Sequence, residues 1–197
     1  MGRPTKNNSL TRQDVIEAAI TCLEKEGESA LGVNRVAREL GIKPPAIYKH
    51  LNGNADLRQA VVLTLWQRFF AYYKEQTAHL RGLSTLLRAG AYATRNFARS
   101  HPTLYRVMMQ VELQPNEPKA ALIIQEAISL FKTRFEFYRF TENQVIDVIR
   151  IVNAAISGFI ALEQAGFMTL DRSTDASFEV ILDALVVAID YIQQVDS

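Results

Sequence analysis

The sequence predicts an all-α fold with about nine helices. Apolar residues recur at spacings of three and four along almost the whole chain, and no stretch alternates polar and apolar residues as a β-strand would. Of the 197 residues, 48% are hydrophobic, which is ample for a buried core and argues against disorder. A single cysteine excludes an internal disulfide, and with only three histidines we expect no structural metal site.

The first helix is predicted to lie between Thr11 and Gly27. Thr11 and Asp14 have the spacing of a capping box, in which each side chain accepts a hydrogen bond from a backbone N–H group. Gly27 is suited to end the helix because glycine adopts left-handed backbone conformations without a steric penalty.

Two short helices are predicted next, over residues 33–40 and 44–51. Gly41 separates them, and a positive φ at this residue would turn the chain. Pro44 and Pro45 are compatible with the start of the second short helix, because the N–H groups of a first turn have no partner within the helix.

Six further helices account for the rest of the chain. Pro102 ends one of them, since the residue before a proline disfavours helical geometry. Two prolines within residues 114–118 indicate a loop, and Thr141 with Gln144 forms a second capping box. The predicted ranges are 55–79, 83–99, 103–111, 119–138, 142–165 and 174–194.

The order of helix lengths divides the chain in two. Short helices fill residues 1–53 and long helices follow, which predicts a small module over residues 1–53 and a larger helical domain over residues 54–197. Residues 1–53 carry eight Lys and Arg against six Asp and Glu, whereas the whole chain has a net charge of only +1. The excess of basic residues supports the division and favours an anionic partner for the module.

The two short helices have the features of a helix-turn-helix, whose second helix can enter the major groove of DNA. Val36, Leu40, Ile42 and Ile47 are expected to form the small core beneath them. The outer face then carries cationic, hydrogen-bonding and apolar groups that suit base edges and phosphates. Its residues are Lys43, Pro44, Ala46, Tyr48, Lys49 and His50.

Residues 11–54 resemble the DNA-binding domain of the tetracycline-repressor (TetR) family of bacterial regulators. The resemblance rests on Gly2-Arg3-Pro4, on Val36-Ala37-Arg38-Glu39-Leu40-Gly41-Ile42 and on Ala46-Ile47-Tyr48-Lys49-His50-Leu51. The later long helices and His101-Pro102-Thr103-Leu104-Tyr105 resemble the regulatory domain of one broad TetR subgroup.

The resemblance implies a role for each residue of the predicted DNA-binding face. Tyr48 would hydrogen-bond a phosphate, His50 would support this contact, and Lys43, Pro44, Ala46 and Lys49 would face bases or backbone. Val33 and Asn34 would offer backbone N–H groups to another phosphate. Many family members have Lys where this chain has Asn54 and a Ser or Thr cap where it has Gly32, so both phosphate anchors are expected to be weaker here. Arg3 and Lys6 would compensate against phosphates or a minor groove, unless they form a solvated tail.

A set of aromatic and methionine residues in the larger domain could line an effector pocket between long helices or simply fill the core. Such a pocket would favour a small apolar or aromatic effector. The residues are Trp66, Phe69, Phe70, Tyr73, Tyr92, Phe97, Tyr105, Met108, Phe131 and Phe135.

The last two helices carry small residues and a wide apolar stripe, which indicate either the core of the domain or a four-helix interface in a homodimer. We favour the interface, and the TetR resemblance implies it as well. The predicted interface residues are Ala154, Ser157, Gly158, Ala161, Phe178, Leu182, Leu185 and Ile189.

The sequence therefore predicts a ligand-responsive regulator, a repressor by resemblance, that binds a roughly palindromic double-stranded operator as a homodimer without a cofactor. An enzyme is not expected, because His50, His79 and His101 fall in different elements without a catalytic motif around them. Two alternatives stay open: a helical protein-interaction module that has lost DNA binding, and an enzyme whose site converges only in space. The polar N-terminus and the interruption of the apolar run 151–162 by Asn153 and Ser157 predict a soluble cytoplasmic protein with no membrane partner.

Overall fold

The structure, a computed structural model, describes residues 10–134 and 140–195. Within these ranges all regular secondary structure is helical, so the predicted all-α class is confirmed. A 3-10 helix covers Glu28–Ala30. The α-helices are α1 (Arg12–Glu26), α2 (Val33–Glu39), α3 (Pro44–Ile47), α4 (Asn54–Thr77), α5 (Leu83–Ser100), α6 (Pro102–Gln110), α7 (Pro118–Arg134), α8 (Glu142–Gln164) and α9 (Thr174–Val195).

Most helix ends lie within two residues of their predicted positions, and two features differ. The 3-10 helix was not predicted, and α3 ends at Ile47 and not at residue 51. Beyond Ile47 the backbone tightens, because the His50 N–H donates to the Ile47 carbonyl three residues back at 2.8 Å. The predicted end of the seventh helix at residue 138 lies outside the described residues.

The structure contains the helix caps that the sequence predicts. Thr11 and Asp14 form the complete capping box of α1, and Thr141 and Gln144 form that of α8. Gly27 follows α1 with φ of 84°, and its N–H donates to the Leu23 carbonyl at 3.0 Å. These short-range signals position the start of α1 and α8 in the described chain.

Contacts within the chain separate it into two compact units. The first contains the described residues up to Trp66 together with Thr103–Glu112, and the second contains Gln67–Pro102 and the described residues from Leu113 onward. The residues of α4 up to Trp66 accordingly belong to the first unit. The predicted division between residues 53 and 54 stays a prediction.

The core of the first unit lies beneath the helix-turn-helix. Val15 and Leu23 of α1, Val36 of α2, Ile47 of α3 and Leu57 of α4 are each 0% exposed. Burial of apolar side chains from four helices in one core fixes the position of the short helices α2 and α3, which would be marginal alone.

In the second unit, α5 packs against α8 and α9. Phe178, Leu182 and Ile189 of α9 are each 0% exposed, and the ring of Phe178 lies 5.0 Å from that of Phe159 on α8. The Gln144 side chain donates to the Ile192 carbonyl at 2.7 Å and links the start of α8 to the last turn of α9.

Helix α8 contains a long apolar stretch. By length and composition alone it could cross a membrane, with a mean hydropathy of 1.9 over a window of which 28% is buried. A core or interface helix of a soluble protein meets the same criterion, so this is weak evidence for a membrane span. The low buried share means that much of the apolar surface of α8 is exposed.

Candidate DNA-binding face and regulatory residues

The turn between α2 and α3 has the geometry of a Schellman motif. Gly41 has φ of 66°, as the sequence predicts for a turning residue. The Ile42 N–H donates to the Ala37 carbonyl at 3.0 Å, and the Gly41 N–H donates to the Arg38 carbonyl at 3.2 Å. Two carbonyls at the end of α2 are thus satisfied, and the direction of the chain entering α3 is fixed.

Burial on one side of α3 and of the turn that follows it determines which residues this segment presents outward. Ile47 is 0% exposed and Leu51 is 1% exposed, so this side faces the core of the first unit. Tyr48 is 56% exposed, and the neighbouring Lys49 is exposed as well. Lys43, which precedes the helix, is also exposed, and Pro44, Ala46 and His50 are partly exposed.

A hollow of about 300 Å³ opens on the surface between the start of α2 and the end of α3. It brings together residues that are far apart in the sequence, including the predicted Asn34, Tyr48 and Asn54. Arg38 and Ser29 line the same hollow and were missed by the sequence analysis. The full lining is Ser29, Gly32, Val33, Asn34, Arg35, Arg38, Tyr48 and Asn54.

The two arginines of this hollow differ in their partners. Arg35 Nε donates to Glu26 at 2.9 Å, and its Nη2 donates to Glu39 at 2.7 Å. These carboxylates, Glu26 foremost, raise the pKa of Arg35, so its charge is compensated within the protein. Arg38 is exposed and has no ion pair with any carboxylate in the described ranges. Its charge is therefore available to an anion from outside.

Asn54 makes a contact that the sequence analysis did not foresee. Its side-chain Oδ1 accepts a hydrogen bond of 2.9 Å from the Val33 N–H at the start of α2. Val33, which was expected to offer this N–H to a phosphate, is engaged by Asn54 in the structure. The next residue, Asn34, is exposed.

The start of α4 is tied to other segments of the first unit at two further points. Asp56 accepts a hydrogen bond of 3.2 Å from Arg12 and one of 2.9 Å from the Asn52 N–H. Arg58 donates to Glu28 at 2.5 Å. These contacts fix the backbone around Asn54 and so fix the position of its side chain.

Some predicted site residues lie outside the described part of the chain. These are Arg3 and Lys6 of the N-terminal arm and Phe135 of the aromatic set.

The remaining residues of the predicted effector set are divided between the two units. Trp66, Tyr105 and Met108 belong to the first unit, and the others belong to the second. In the second unit, Phe69 lies 5.6 Å from Phe70, 6.0 Å from Tyr73 and 5.3 Å from Phe97, measured between ring centroids. Phe131 is partly exposed on α7.

Tyr92 has partners on α9. Its hydroxyl donates to Glu179, and its ring meets that of Phe178 edge to face at 5.3 Å. The hydrogen bond to Glu179 and burial both raise the pKa of the Tyr92 hydroxyl. Tyr92 thus has a packing role between α5 and α9.

A fully buried arginine joins α5 to α8 and α9. Arg95 is 0% exposed; its Nε donates to Glu163 at 3.0 Å, and its Nη1 lies 2.8 Å from Asp175. The guanidinium carbon lies 4.5 Å from the ring centroid of Phe178 and 5.2 Å from that of Phe159. Aromatic faces and carboxylates together compensate for the burial of this charge.

Arg99 adds a second cation to this cluster. Its Nη2 lies 2.9 Å from Glu163 and 3.1 Å from Asp175. Hydrogen bonds from Arg95, and then from Arg99, lower the pKa of Glu163 to about 2. Glu163 therefore stays ionised throughout the physiological range.

The predicted dimer-interface residues fall into two groups. Ala154, Gly158 and Ala161 of α8 are exposed, and Ser157 is partly exposed. The four residues of α9 need a correction, because the chain's own helices already cover them. Phe178, Leu182, Leu185 and Ile189 are 0%, 0%, 5% and 0% exposed, so they belong to the core of the second unit, the alternative left open by the sequence.

A different stripe of α9 is exposed. Val180, Val187 and Tyr191 are 55%, 68% and 65% exposed, and Ala184 between them is also exposed. Their spacing of four, three and four residues puts them on one side of the helix.

Comparison with known proteins bears on both parts of the chain. Residues 15–61 match the family model described as bacterial regulatory proteins, tetR family. Residues 87–185 match the model described as tetracyclin repressor-like, C-terminal domain. The matches cover the helix-turn-helix and most of the second unit.

One similar protein is the uncharacterized HTH-type transcriptional regulator Rv0681 of Mycobacterium tuberculosis, which is 30% identical over 179 residues, covering 90% of this chain and 79% of the relative. Another is the uncharacterized HTH-type transcriptional regulator YobS of Bacillus subtilis, which is 21% identical and covers 78% of each chain.

Solved structures of other proteins share the fold. Apo ActR from Streptomyces coelicolor superposes with a TM-score of 0.71 at 14% identity, covering 95% of this chain and 98% of that one. A variant of TetR from Acinetobacter baumannii AYE, solved in complex with minocycline, gives a TM-score of 0.71 at 20% identity, covering 95% and 97%. Fold, helix-turn-helix and sequence relatives agree, and the chain belongs to the TetR family of bacterial regulatory proteins, which are helix-turn-helix transcriptional regulators.

Proposed function

We propose that this protein is a ligand-responsive repressor that acts in the cytoplasm and binds a roughly palindromic operator as a homodimer. The observation that carries the proposal is the division of α3 and the turn that follows it into a buried and an exposed side. Ile47 and Leu51 anchor the helix in the core, so Tyr48 and Lys49 point to solvent together with Lys43. A short helix held in this way can be inserted into a major groove without losing its support.

The chemistry of this face suits duplex DNA. Lys43, Lys49 and Arg38 provide cations for phosphates, and the Tyr48 hydroxyl can donate a hydrogen bond to a phosphate oxygen. Pro44 and Ala46 offer small apolar surfaces that can contact a thymine methyl group. The mixture of charged and apolar groups supports recognition of a sequence as well as attraction to the backbone.

A homodimer is supported by exposed apolar surface on two adjacent helices of the second unit. On α9 this surface is the stripe of Val180, Ala184, Val187 and Tyr191, and on α8 it includes Ala154, Gly158, Ala161 and Leu162. The small residues of α8 allow close approach of another helix, as a four-helix contact between two chains requires. Two-fold symmetry would then place two copies of α3 on half-sites about 34 to 36 Å apart, or a multiple of that distance.

An apolar or aromatic effector is supported by the aromatic cluster of the second unit around Phe69, Tyr73 and Phe97. Related folds have been solved with ligands, namely the A. baumannii TetR variant with minocycline and S. coelicolor ActR with (S)-DNPA. An effector would release the operator by binding better to the state that does not bind DNA, with a typical coupling of about 1 to 3 kcal/mol.

The experiment that tests the function is selection of random-sequence DNA duplexes by the purified protein at near-physiological salt, followed by sequencing of the bound pool. We expect enrichment of a palindrome with two half-sites. A parallel selection with a Tyr48→Ala/Lys49→Ala double variant should enrich nothing. If folded wild-type protein, extracted free of small molecules, enriches no sequence, the operator proposal fails and the helical protein-interaction module becomes the better description.

A further inference from the structure

We infer that Asn54 is a positioning residue of the DNA-binding face, which acts on DNA by capping helix α2 and not by touching the duplex. The inference rests on the proposed DNA binding, since it changes the role of one residue of that face from contacting DNA to positioning its neighbours. Its basis is the hydrogen bond that joins the first residue of α4 to the first residue of α2.

Helix α2 lacks a cap from its own sequence. The residue at its N-cap position is Gly32, which has no side chain and makes no capping hydrogen bond. The first N–H groups of any helix have no acceptor within the helix, and leaving a buried one without a partner is unfavourable. Val33 is only 2% exposed, so water is a poor substitute at this position.

Asn54 supplies the missing acceptor from a distant point of the chain. Its Oδ1 lies 2.9 Å from the Val33 nitrogen, across 21 residues of sequence. The same Oδ1 lies 3.8 Å from the position that a Cβ on Gly32 would occupy. The carboxamide oxygen therefore sits next to the place where the side chain of an ordinary N-cap residue would begin.

The cap bears on DNA binding through the residues around it. Gly32, Val33 and Asn54 line the same surface hollow as Arg38 and Tyr48. Helix α2 has only seven residues, so its first turn depends strongly on end interactions. Loss of the cap would loosen this turn and displace the groups that face the DNA, although no group that carries charge would be removed.

A double-mutant cycle between Asn54→Ala and Gly32→Ser tests this inference. Gly32 has an extended backbone, with φ of −153° and ψ of 149°, and an added Cβ meets only Asn54 Oδ1, so serine fits there. Its hydroxyl can accept a hydrogen bond from the Asn34 or Arg35 N–H, as N-cap side chains do, and so stabilise the same first turn of α2 locally.

We expect Asn54→Ala to weaken binding of the duplex selected by the wild type by about threefold to tenfold, the range that a lost cap implies. The thermal midpoint measured without DNA should fall by about 2 to 4 °C. The dependence of affinity on salt should keep its slope, since no charged group is removed. Adding Gly32→Ser should restore part of the affinity and of the midpoint, so that Asn54→Ala costs less in the Gly32→Ser background than in the wild type.

Two results would overturn the inference. One is a loss of affinity in Asn54→Ala that is as large in the Gly32→Ser background as in the wild type, because Asn54 would then contact DNA itself. The other is an unchanged thermal midpoint in Asn54→Ala. The thermal midpoint is measured without DNA, so it tests the cap even if the wild type selects no duplex and the proposed function fails.

Discussion

Individual side chains of the DNA-binding face differ mainly in whether their charge is already compensated within the protein. Arg35 is bound by Glu26 and Glu39, whereas Arg38 and Lys49 are exposed and have no ion pair in the described chain. A cation with an internal partner contributes little to a phosphate contact, because it must give up one carboxylate to gain another anion. The uncompensated cations are therefore the ones to test.

Replacing Lys49 with alanine should weaken DNA binding. If Lys49 meets a phosphate, all duplex sequences should lose affinity alike, and the slope of log affinity against log salt should fall by about one. Fluorescence anisotropy at several salt concentrations measures both quantities. Lys119→Ala, which removes an exposed lysine from α7, is the matched control and should leave binding unchanged. An unaltered affinity in Lys49→Ala would remove this residue from the interface.

Arg38→Gln should have an effect of the same kind, although the sequence analysis did not select this residue. It lines the hollow next to Tyr48 and keeps its charge available, so its loss should reduce affinity and the salt slope by about one phosphate contact. The same titration measures it. A variant with the wild-type slope would show that the hollow does not receive a phosphate near Arg38.

Between helices, the buried cluster around Arg95 ties α5 to α8 and α9. Glu163 gives the cluster a pH dependence with a defined sign. Its pKa is about 2 in the folded protein and 4.5 as its ordinary value, so it stabilises the fold fully above pH 4.5 and loses that contribution as the pH falls towards 2.

Glu163→Gln should therefore lower stability at neutral pH, by roughly 3 kcal/mol if the loss resembles that of other broken buried ion pairs. Between pH 4.5 and 2 the free energy of unfolding should fall less steeply in the variant than in the wild type. Denaturant unfolding across this pH range measures the difference. Glu75→Gln on α4 removes an exposed carboxylate and should reproduce the wild-type curve. Parallel curves for the wild type and Glu163→Gln would contradict the assignment.

Helix positions were largely predictable from the sequence, because caps and apolar spacing act over a few residues. The Thr11 and Thr141 boxes and the turn at Gly41 are examples. Interactions across long stretches of sequence were not predictable. Asn54 caps a helix that begins 21 residues earlier, and Arg95 meets Glu163 from 68 residues away. Nothing in local spacing distinguishes such residues from solvated polar ones.

For the assembled protein, the main correction concerns which side of α9 is free. Apolar residues on α9 form a stripe so wide that it covers two sides of the helix, and spacing alone does not tell which side faces the same chain. The structure buries Phe178 and Leu182 and leaves Val187 and Tyr191 exposed. The proposed dimer contact therefore uses the side of α9 that carries Val187 and Tyr191.

Val187→Asp should separate the proposed dimer into monomers, because a charge would be buried between two copies of the chain without a partner. Sedimentation equilibrium measures the change, and binding to the selected palindrome should fall with it. Leu122→Asp is the matched control, since Leu122 is 65% exposed on α7 and Val187 is 68% exposed. A stable Val187→Asp dimer, or dissociation by both variants, would exclude this stripe as a specific interface.

The two prolines at the start of α3 have a consequence for the thermodynamics of recognition. Pro44 and Pro45 occupy the first two positions of the helix, where their rings restrict φ before any DNA is present. A backbone with few accessible conformations loses little entropy when a duplex immobilises it. The segment that would enter the groove is thus already ordered in the free protein, and its conformational entropy is lost during folding and not during binding.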